Sequence, residues 1–194
     1  THNFVAGYDN DVYKEMDHGT KTLSTIAMNQ PTVFVGTAPK AAFWLLRTED
    51  YSTESPAEED FWIAAVEFSD SVGVDIISSS LGYHGFDDKT MNYRYSDLNG
   101  RTAAISQAAS RLASKGMILV NSAGNDGMGT WKKINVPADA HDILTVGAVT
   151  LDKVNAPFSS IGPTADGRIK PDVMAYGCPT NVVSGRGYII PDNG

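Results

Sequence analysis

Short apolar runs alternate along this chain with segments that repeat apolar residues at helical spacing. Four of the runs predict buried strands, at 42–47, 74–78, 117–120 and 143–149. Strands that alternate with helices are typical of a parallel sheet with helices packed on its faces. The pattern therefore predicts the α/β class, as a doubly wound parallel sheet with helices on both faces.

Two helices are marked by apolar stripes, in which residues recur at positions i, i+3, i+4 and i+7. Ser55-Pro56-Ala57-Glu58 has the form of a capping box with proline at the first helical position, and it precedes the first stripe. The stripes are Phe61, Ala64, Ala65 and Phe68, and then Ile105, Ala108, Ala109 and Leu112. Gly116 follows the second stripe, where a C-terminal glycine is expected.

The longest stretch without either pattern is Tyr83–Gly100, which is aromatic and polar, with glycine near both ends. A loop of this length in a compact domain is usually either functional or a surface embellishment. Of the two interpretations, we favour a surface embellishment.

Composition narrows the possible classes of protein. The chain has 194 residues, 42% of them hydrophobic and 20% charged, and we expect a single domain over 1–194. A net charge of −8 without a Lys/Arg-rich run argues against nucleic-acid binding. No apolar run reaches the ~18 residues of a membrane span. Cys178 has no second cysteine with which to form a disulfide or a thiol metal site. Because the chain begins with Thr1 and no signal sequence, we expect an excised or processed piece.

Sequence motifs give no support for a cofactor or a metal. The chain contains no G-x-x-x-x-G-K-[ST], no G-x-G-x-x-G after a strand, no H-E-x-x-H and no G-x-S-x-G. Asp9-Asn10-Asp11 is similar to the start of a calcium loop, but the glycine and closing glutamate are absent, which favours an acidic surface turn. The histidines His2, His18, His84 and His141 have no metal-ligand spacing.

Two segments place polar groups where chemistry often occurs. Asp17-His18-Gly19-Thr20 opens a helical pattern, and the glycine lets another part of the chain approach the imidazole. Ser122–Gly127 directly follows an apolar strand, at the end of the sheet where α/β proteins bind ligands. Taken singly, His18 is more simply an ordinary helix-start residue, and Ser122–Gly127 is explained equally well as an Asn-Gly turn.

Seven short motifs follow one another along the chain. They are His18-Gly19-Thr20, Ser80-Leu81-Gly82, Ala123-Gly124-Asn125, Val136-Pro137-Ala138, Val146-Gly147-Ala148, Phe158–Pro163 and Lys170–Ala175. In this order they resemble the motifs of the subtilisin-like serine peptidases. The resemblance extends over nearly the whole chain, from about Phe4 to Gly194.

The resemblance implies a role for several residues. His18 would be the general base, since the unperturbed pKa of an imidazole lies near the operating pH. Asn125 would donate its side-chain amide to the oxyanion, in a turn that includes Ala123 and Gly124. Ser80-Leu81-Gly82 would pair with the main chain of an extended substrate. We therefore expect His18 and Asn125 to face one cleft beside Ser80–Gly82.

Two members of the family's catalytic triad have no counterpart in the chain. In the family, the triad aspartate lies in a D-[ST]-G motif well before the histidine. None of Asp9, Asp11 and Asp17 lies in such a motif. Asp17 is better placed to cap the helix. The G-T-S motif of the nucleophile is also absent, and Ser184 lacks its context. We therefore expect these 194 residues alone to be catalytically inert.

The loop Asn29–Gly36 departs from the family pattern as well. Many relatives bind calcium there, but Pro31 and Phe34 occupy this loop and no Asn–Asn pair is present. We expect no cofactor and no structural calcium at this loop. Tyr83–Gly100 would be an insertion after the substrate segment, at the border of the cleft.

The family resemblance implies a secreted or cell-envelope serine endopeptidase with a polypeptide substrate and a propeptide or inhibitor as further partners. The incomplete domain would expose strand edges and therefore self-associate. The first alternative is a non-catalytic pseudopeptidase or peptide-binding module of the same fold. The second alternative is a nucleotide-binding α/β domain. Such a domain requires a phosphate-binding glycine loop directly after a strand, and no strand in this sequence is followed by one.

Overall fold

Ten strands and three α-helices lie within the residues that the computed structural model describes, namely 1–5, 7 and 11–194. The strands are β1 (His2–Asn3), β2 (Asn29–Gln30), β3 (Phe34–Val35), β4 (Leu46–Arg47), β5 (Ile76–Ser79), β6 (Ile118–Ser122), β7 (Leu144–Thr150), β8 (Val173–Cys178), β9 (Thr180–Val183) and β10 (Ile189–Asp192). The helices are α1 (His18–Ala27), α2 (Ala57–Ser71) and α3 (Ala104–Ala109).

The main sheet is parallel and has the strand order β5-β6-β7-β8. A second parallel pair joins β1 to β4, whereas β2–β3 and β9–β10 are antiparallel hairpins. The prediction of an α/β fold with a parallel sheet is therefore confirmed. All four carboxyl ends of the main sheet lie at one edge, because its strands run in the same direction.

Side chains alternate across the main sheet, and its two faces are packed differently. Leu119 and Thr145 are buried on the face that contacts Trp62 of α2. On the other face, apolar side chains are exposed at positions that pair across the sheet, including Ile76 and Ile118, which are 60% and 55% accessible. The described residues thus cover one face of the sheet and leave an apolar row on the other.

The predicted strand at 42–47 is wrong over most of its length. Only Leu46 and Arg47 are in a strand, paired with the two residues of β1. Trp44 is about half exposed, and its ring meets the edge of Phe68 at 5.2 Å between centroids. The apolar run was produced partly by a surface aromatic cluster, which sequence periodicity does not distinguish from a core strand.

Strands β5, β6 and β7 lie where the apolar runs predicted them, displaced by one or two residues. Helix α3 also follows its predicted stripe, since Ile105, Ala109 and Leu112 are buried. Gly116 has φ +85°, a left-handed conformation that glycine adopts without steric cost. Strand β8 and the two hairpins were not predicted.

Helix α2 buries a face that is rotated from its predicted stripe. Phe61, Ala64 and Phe68 are only partly buried. Beyond the first turn, the buried residues are Trp62, Ala65, Val66 and Ser69. The rotation places the indole Nε1 of Trp62 3.1 Å from the Ser79 hydroxyl, to which it donates a hydrogen bond. The tertiary contact with the sheet therefore determines which face of α2 is buried.

Replacing Ser79 by alanine is expected to destabilise the fold by about 1–3 kcal/mol, because the buried indole donor loses its acceptor. Urea unfolding followed by tryptophan fluorescence measures the difference. Ser78, exposed in the same strand, provides the control, since its replacement is expected to change stability by less than about 0.5 kcal/mol. Equal losses in the two variants would contradict the assigned hydrogen bond.

The predicted capping box of α2 is half formed. Glu58 Oε2 accepts a hydrogen bond from the backbone N–H of Ser55 at 3.2 Å. No side-chain capping bond to the first turn is present at this helix start. The hydrogen bond from the Ser55 backbone to the Glu58 side chain is therefore formed, whereas the expected bond from the helix backbone to the Ser55 side chain is not.

The two ends of the segment Tyr83–Gly100 are part of the core, whereas residues 87–92 and 94–96 between them are exposed, so the expectation of a surface embellishment is wrong for its ends. Tyr83, Phe86 and Leu98 are 2%, 6% and 0% accessible. The N–H of Gly100 donates to the buried carboxylate of Asp139 at 2.7 Å. Two short 3-10 turns, Lys89–Met91 and Tyr95–Asp97, form its outer part. The buried aromatic rings explain why the segment shows neither helical nor strand periodicity.

Candidate functional site

Two predicted site segments leave neighbouring strands at the same edge of the main sheet. Ser79, the last residue of β5, pairs with Asn121 of β6. Ser80-Leu81-Gly82 continues from β5, and Ala123-Gly124-Asn125 continues from β6. Parallel pairing therefore places the two segments side by side beyond the carboxyl ends of their strands.

The side chain of Asn135 lies between these two segments. A Cβ atom on Gly82 would lie 2.9 Å from Asn135 Cβ, and one on Gly124 would lie 3.0 Å from Asn135 Nδ2. Gly124 also has φ +109°, which disfavours any other residue. Both glycines are therefore required for the close approach of their segments to Asn135, a residue that the sequence analysis did not identify.

Asn125 lies at the exposed tip of the turn after β6. Its side chain has no hydrogen-bond partner among the described residues, which leaves both N–H groups of the amide available. The neighbouring residues are held instead, since Gly124 O accepts from Ser160 N–H and Asp126 N–H donates to Ser160 Oγ. The turn thus presents an amide without a partner among the described residues, on a backbone that is held by hydrogen bonds.

His18 is the first residue of α1, and its side chain is exposed. The predicted capping role of the preceding Asp17 is wrong, because the aspartate makes no side-chain capping bond. Its Oδ2 accepts a hydrogen bond from Gly185 N–H at 3.0 Å. That bond, followed by the interaction with Lys21, lowers the pKa of Asp17. Asp17 therefore ties the helix start to the β9–β10 hairpin.

Ser184 lies in the turn of the β9–β10 hairpin. Its backbone N–H donates to Tyr188 O at 2.9 Å, and its hydroxyl accepts from Tyr188 N–H at 3.2 Å. Both interactions are those of a turn residue.

Asp11, the described residue of the predicted acidic turn, forms an ion pair of 2.7 Å with Lys14, whereas Asp9 and Asn10 lie outside the described residues.

Glu49, which was not predicted, is hydrogen-bonded next to the predicted substrate segment and is influenced by the charge of His18. Its carboxylate accepts a hydrogen bond of 2.5 Å from the hydroxyl of Tyr83, the residue after Gly82. Burial raises the pKa of Glu49, while the Tyr83 hydrogen bond and the charge of His18 oppose the increase. The hydrogen bond therefore joins Glu49 to the residue after Gly82, and the charge of His18 acts on the same carboxyl.

The contacts place the predicted site residues in two groups. Ser80–Gly82 and Ala123–Asn125 adjoin each other through Asn135. His18 stands apart from them: its charge acts on the Glu49 carboxyl, but no hydrogen bond or ion pair among the described residues joins it to Glu49 or to Asn125. The expectation that His18 and Asn125 share one cleft stays a prediction.

An acidic cavity of about 320 Å³ lies beside Glu49. Its lining contains no Lys, Arg or His and consists of Glu49, Asp50, Tyr51, Ser52, Thr53, Glu54, Glu58 and Asp87. Glu58 is 1% accessible and accepts hydrogen bonds from the backbone N–H groups of Asp50 and Ser55. Burial is the main cause that raises the pKa of Glu58 from 4.5 to about 7.

The raised pKa of Glu58 makes stability depend on pH. Between pH 4.5 and about 7 the folded state holds a proton that the unfolded state releases, so this stabilisation is present at low pH and is lost as the pH rises. Thermal unfolding from pH 5 to pH 8 is expected to show a decrease in Tm that is smaller in Glu58→Gln. Glu67→Gln, an exposed change on α2, is the control that keeps the wild-type slope. An unchanged slope in Glu58→Gln would contradict the assignment.

A parallel α/β sheet with Ser80–Gly82 and the Asn125 turn side by side beyond its carboxyl ends is the arrangement expected of the subtilisin-like class. Residues 2–191 match the model of the Subtilase family. The chain belongs to the Subtilase family.

Curated relatives agree with this assignment. Subtilisin DY of Bacillus licheniformis is 28% identical over 161 residues, which cover 82% of this chain and 52% of that protein. The human membrane-bound transcription factor site-1 protease is 26% identical over 168 residues, covering 84% of this chain and 14% of that protein. The chain spans about half the length of subtilisin DY.

Solved structures show the same fold. The epidermin leader peptide processing serine protease of Staphylococcus aureus superposes with a TM-score of 0.74 and 20% identity, covering 100% of this chain and 56% of that one. The prenylagaramide maturation protease PagA has a TM-score of 0.69 and 22% identity, covering 92% of this chain and 58% of that one. None of the helices in the described part of the chain is long and apolar enough to cross a bilayer.

Proposed function

We propose that these 194 residues belong to a longer serine endopeptidase, called the full-length protein below, in which this chain supplies the general base, the oxyanion donor and the substrate-binding segment. The unpartnered amide of Asn125, on a turn adjoining Ser80–Gly82, carries the proposal. Membership of the Subtilase family supports it.

In the proposed reaction, a serine hydroxyl of the full-length protein attacks the carbonyl carbon of the scissile peptide bond. His18 takes the hydroxyl proton and later gives it to the leaving amine, and water then hydrolyses the acyl-enzyme. The negative charge that develops on the carbonyl oxygen would be met by the N–H donors of Asn125. The main chain of Ser80–Gly82 would pair with the extended substrate and align its carbonyl with those donors.

The proposal is tested with a fluorophosphonate, which labels activated serines covalently, and with a peptide amide substrate. The full-length protein is expected to be labelled and to hydrolyse the amide, and the isolated 194-residue chain to do neither. Labelling of the isolated chain at Ser184 or any other serine would overturn the prediction that it is inert. A full-length protein that is neither labelled nor active would overturn the proposal.

A non-catalytic peptide-binding module is the second candidate. The glycines that let Ser80–Gly82 approach Asn135 would serve peptide binding whether or not a bond is broken. Adding a peptide-binding measurement to the same experiment separates the two candidates, because a full-length protein that binds the peptide without labelling or turnover would be a pseudopeptidase.

The proposed substrate is a polypeptide, and a propeptide or inhibitor would occupy the same segment. The proposed location is outside the cell or in the cell envelope, consistent with the family.

The uncovered face of the main sheet supports the expectation that the isolated chain self-associates. Ile76, Ile118, Leu144 and Val173 on its strands are 37–60% accessible. Contiguous apolar surface of this kind favours association in water. Sedimentation of the isolated chain would show dimers or larger species, and a monomer at all concentrations would contradict this part of the proposal.

We further propose that the β2–β3 hairpin stands where other family members have a calcium loop. Main-chain oxygens of Met28 and Gln30 accept hydrogen bonds from Gly36 and Val33. No group of three or more His, Cys, Asp or Glu that could hold an ion occurs among residues 1–5, 7 and 11–194. We therefore propose that no structural calcium binds at this hairpin.

A chelator is expected to leave the Tm of the full-length protein nearly unchanged, since Asn29–Gly36 contains no carboxylate of the kind that calcium sites use. Thermal unfolding with and without chelator measures this. A Tm that drops by many degrees and recovers with added calcium would show that a calcium site exists.

A further inference from the structure

Ser160 is bonded to the backbone on both sides of Asn125. Its N–H donates to the carbonyl oxygen of Gly124 at 2.9 Å, and its hydroxyl oxygen accepts from the N–H of Asp126 at 3.0 Å. The side chain is fully buried, with 0% accessibility. One residue, distant in sequence, thus fixes the two neighbours of the proposed oxyanion donor.

The packing at Gly124 makes this contact close as well as polar. A Cβ atom built on Gly124 would lie 2.8 Å from the Ser160 hydroxyl oxygen. The next part of the turn is bonded to the same segment, since Gly127 N–H donates to Phe158 O at 2.7 Å. The segment from Phe158 to Ser160 therefore accepts or donates three backbone hydrogen bonds of the turn.

Asn125 itself lacks such restraints. Its side chain is exposed and has no partner among the residues that the structure describes. The restraints on its position are therefore those on the backbone of Gly124 and Asp126, which fix where the side chain leaves the main chain. A donor that is oriented before the reaction stabilises an oxyanion without reorganisation, and small displacements of such groups reduce the rate strongly.

We infer that the hydroxyl of Ser160 is a positioning group for Asn125. This inference rests on the proposed peptidase function, and it adds a residue that touches neither substrate nor reacting atoms. The hydroxyl holds the Asp126 N–H, which keeps the peptide unit after Asn125 in place and aims the amide at the position where the oxyanion forms.

The test is Ser160→Ala in the full-length protein, with a peptide amide substrate. The expected result is a decrease in kcat of about 10- to 100-fold with KM changed by less than about twofold, since the loss falls on the transition state. In an Asn125→Ala background the same substitution is expected to cause no further decrease in kcat, because the group that it positions is absent.

Ser159→Ala is the matched control. Ser159 is the adjacent residue, is 1% accessible and accepts a backbone N–H, that of Ala148 in β7, at 2.9 Å. Its replacement removes a comparable buried hydrogen bond that does not involve the Asn125 turn. It is expected to lower the Tm but to leave kcat within about twofold of wild type.

Ser160→Cys provides a second variant should Ser160→Ala fold poorly, since the thiol, although larger than the hydroxyl, keeps a weak acceptor at this position. Like Ser160→Ala, it is expected to lower kcat. Equal decreases from Ser160→Ala with and without Asn125, or from Ser159→Ala and Ser160→Ala, would overturn the inference. So would an unchanged kcat.

A measurement independent of activity separates this inference from the proposed function. The NMR order parameter of the Asn125 side-chain amide reports its mobility on the picosecond–nanosecond timescale. The order parameter is expected to fall in Ser160→Ala and not in Ser159→Ala. If the wild-type protein proves inactive, the proposed function fails, while the order parameters still support or overturn the positioning role.

Discussion

Replacing His18 by alanine in the full-length protein is expected to lower kcat by about 10⁶-fold, the size of loss found when a triad histidine is removed. No other group among the described residues at the start of α1 is placed to substitute for it. Asp17 is held by Gly185 and Lys21, and Lys21 also pairs with Asp192 at 3.1 Å. Removal of the imidazole leaves the nucleophile without a proton acceptor, so fluorophosphonate labelling is expected to disappear together with turnover.

His2→Ala is the control for this prediction. His2 lies in β1 and stacks on Phe68 of α2 with 5.5 Å between ring centroids, which is a packing role. Its replacement is expected to cost some stability and to leave kcat and the labelling rate unchanged within about twofold. A His18→Ala protein that labels at the wild-type rate would assign the general base to another residue.

Replacing Asn125 by alanine in the full-length protein is expected to lower kcat by about 10²- to 10³-fold, or about 2.7–4 kcal/mol, with little change in KM. The amide has no structural partner among the described residues, so its removal breaks no hydrogen bond of the fold. Stability should therefore be close to that of the wild type. The combination of a large kinetic and a small thermodynamic effect distinguishes a catalytic donor from a structural one.

Asn29→Ala is the control for Asn125→Ala, because it also removes an exposed asparagine amide, in this case from strand β2. Steady-state kinetics and urea unfolding on both variants complete the comparison. A rise in KM at constant kcat in Asn125→Ala would show that the amide binds the ground state of the substrate instead. A large drop in stability would show that it has a structural role.

Sequence reasoning succeeded where local interactions determine the structure. Apolar runs located β5, β6 and β7, and the position of Gly116 predicted its left-handed conformation. These features depend on residues that are near one another in sequence. The parallel α/β class followed from the alternation of such elements.

It failed where a distant contact decides the outcome. The buried face of α2 depends on the hydrogen bond from Trp62 to Ser79, 17 residues away. Leu98 is buried in the hydrophobic core, although the segment around it shows neither helical nor strand periodicity from which its burial could be predicted. Tertiary packing overrides local pattern in both cases.

The site shows the same division. His18 and Asn125 stand in short motifs and were identified from sequence. Glu49, Asn135 and Ser160 act through contacts with residues that are 34 or more positions away or that lie on another segment. A signal for two of them was present, since Asn135 precedes the motif Val136-Pro137-Ala138 and Ser160 lies within Phe158–Pro163. Nothing in either motif states which backbone the side chain contacts.

The position of Asn135 between Gly82 and Gly124 has a consequence for how this domain can change. One side chain is the shared wall of the substrate segment and the oxyanion turn, so a change in its volume displaces both. In the proposed peptidase, affinity for the peptide and the rate of turnover would therefore be coupled at this residue. Laboratory evolution toward a new substrate would have to alter Asn135 together with its two glycine neighbours, and single substitutions there would trade one kinetic property against the other.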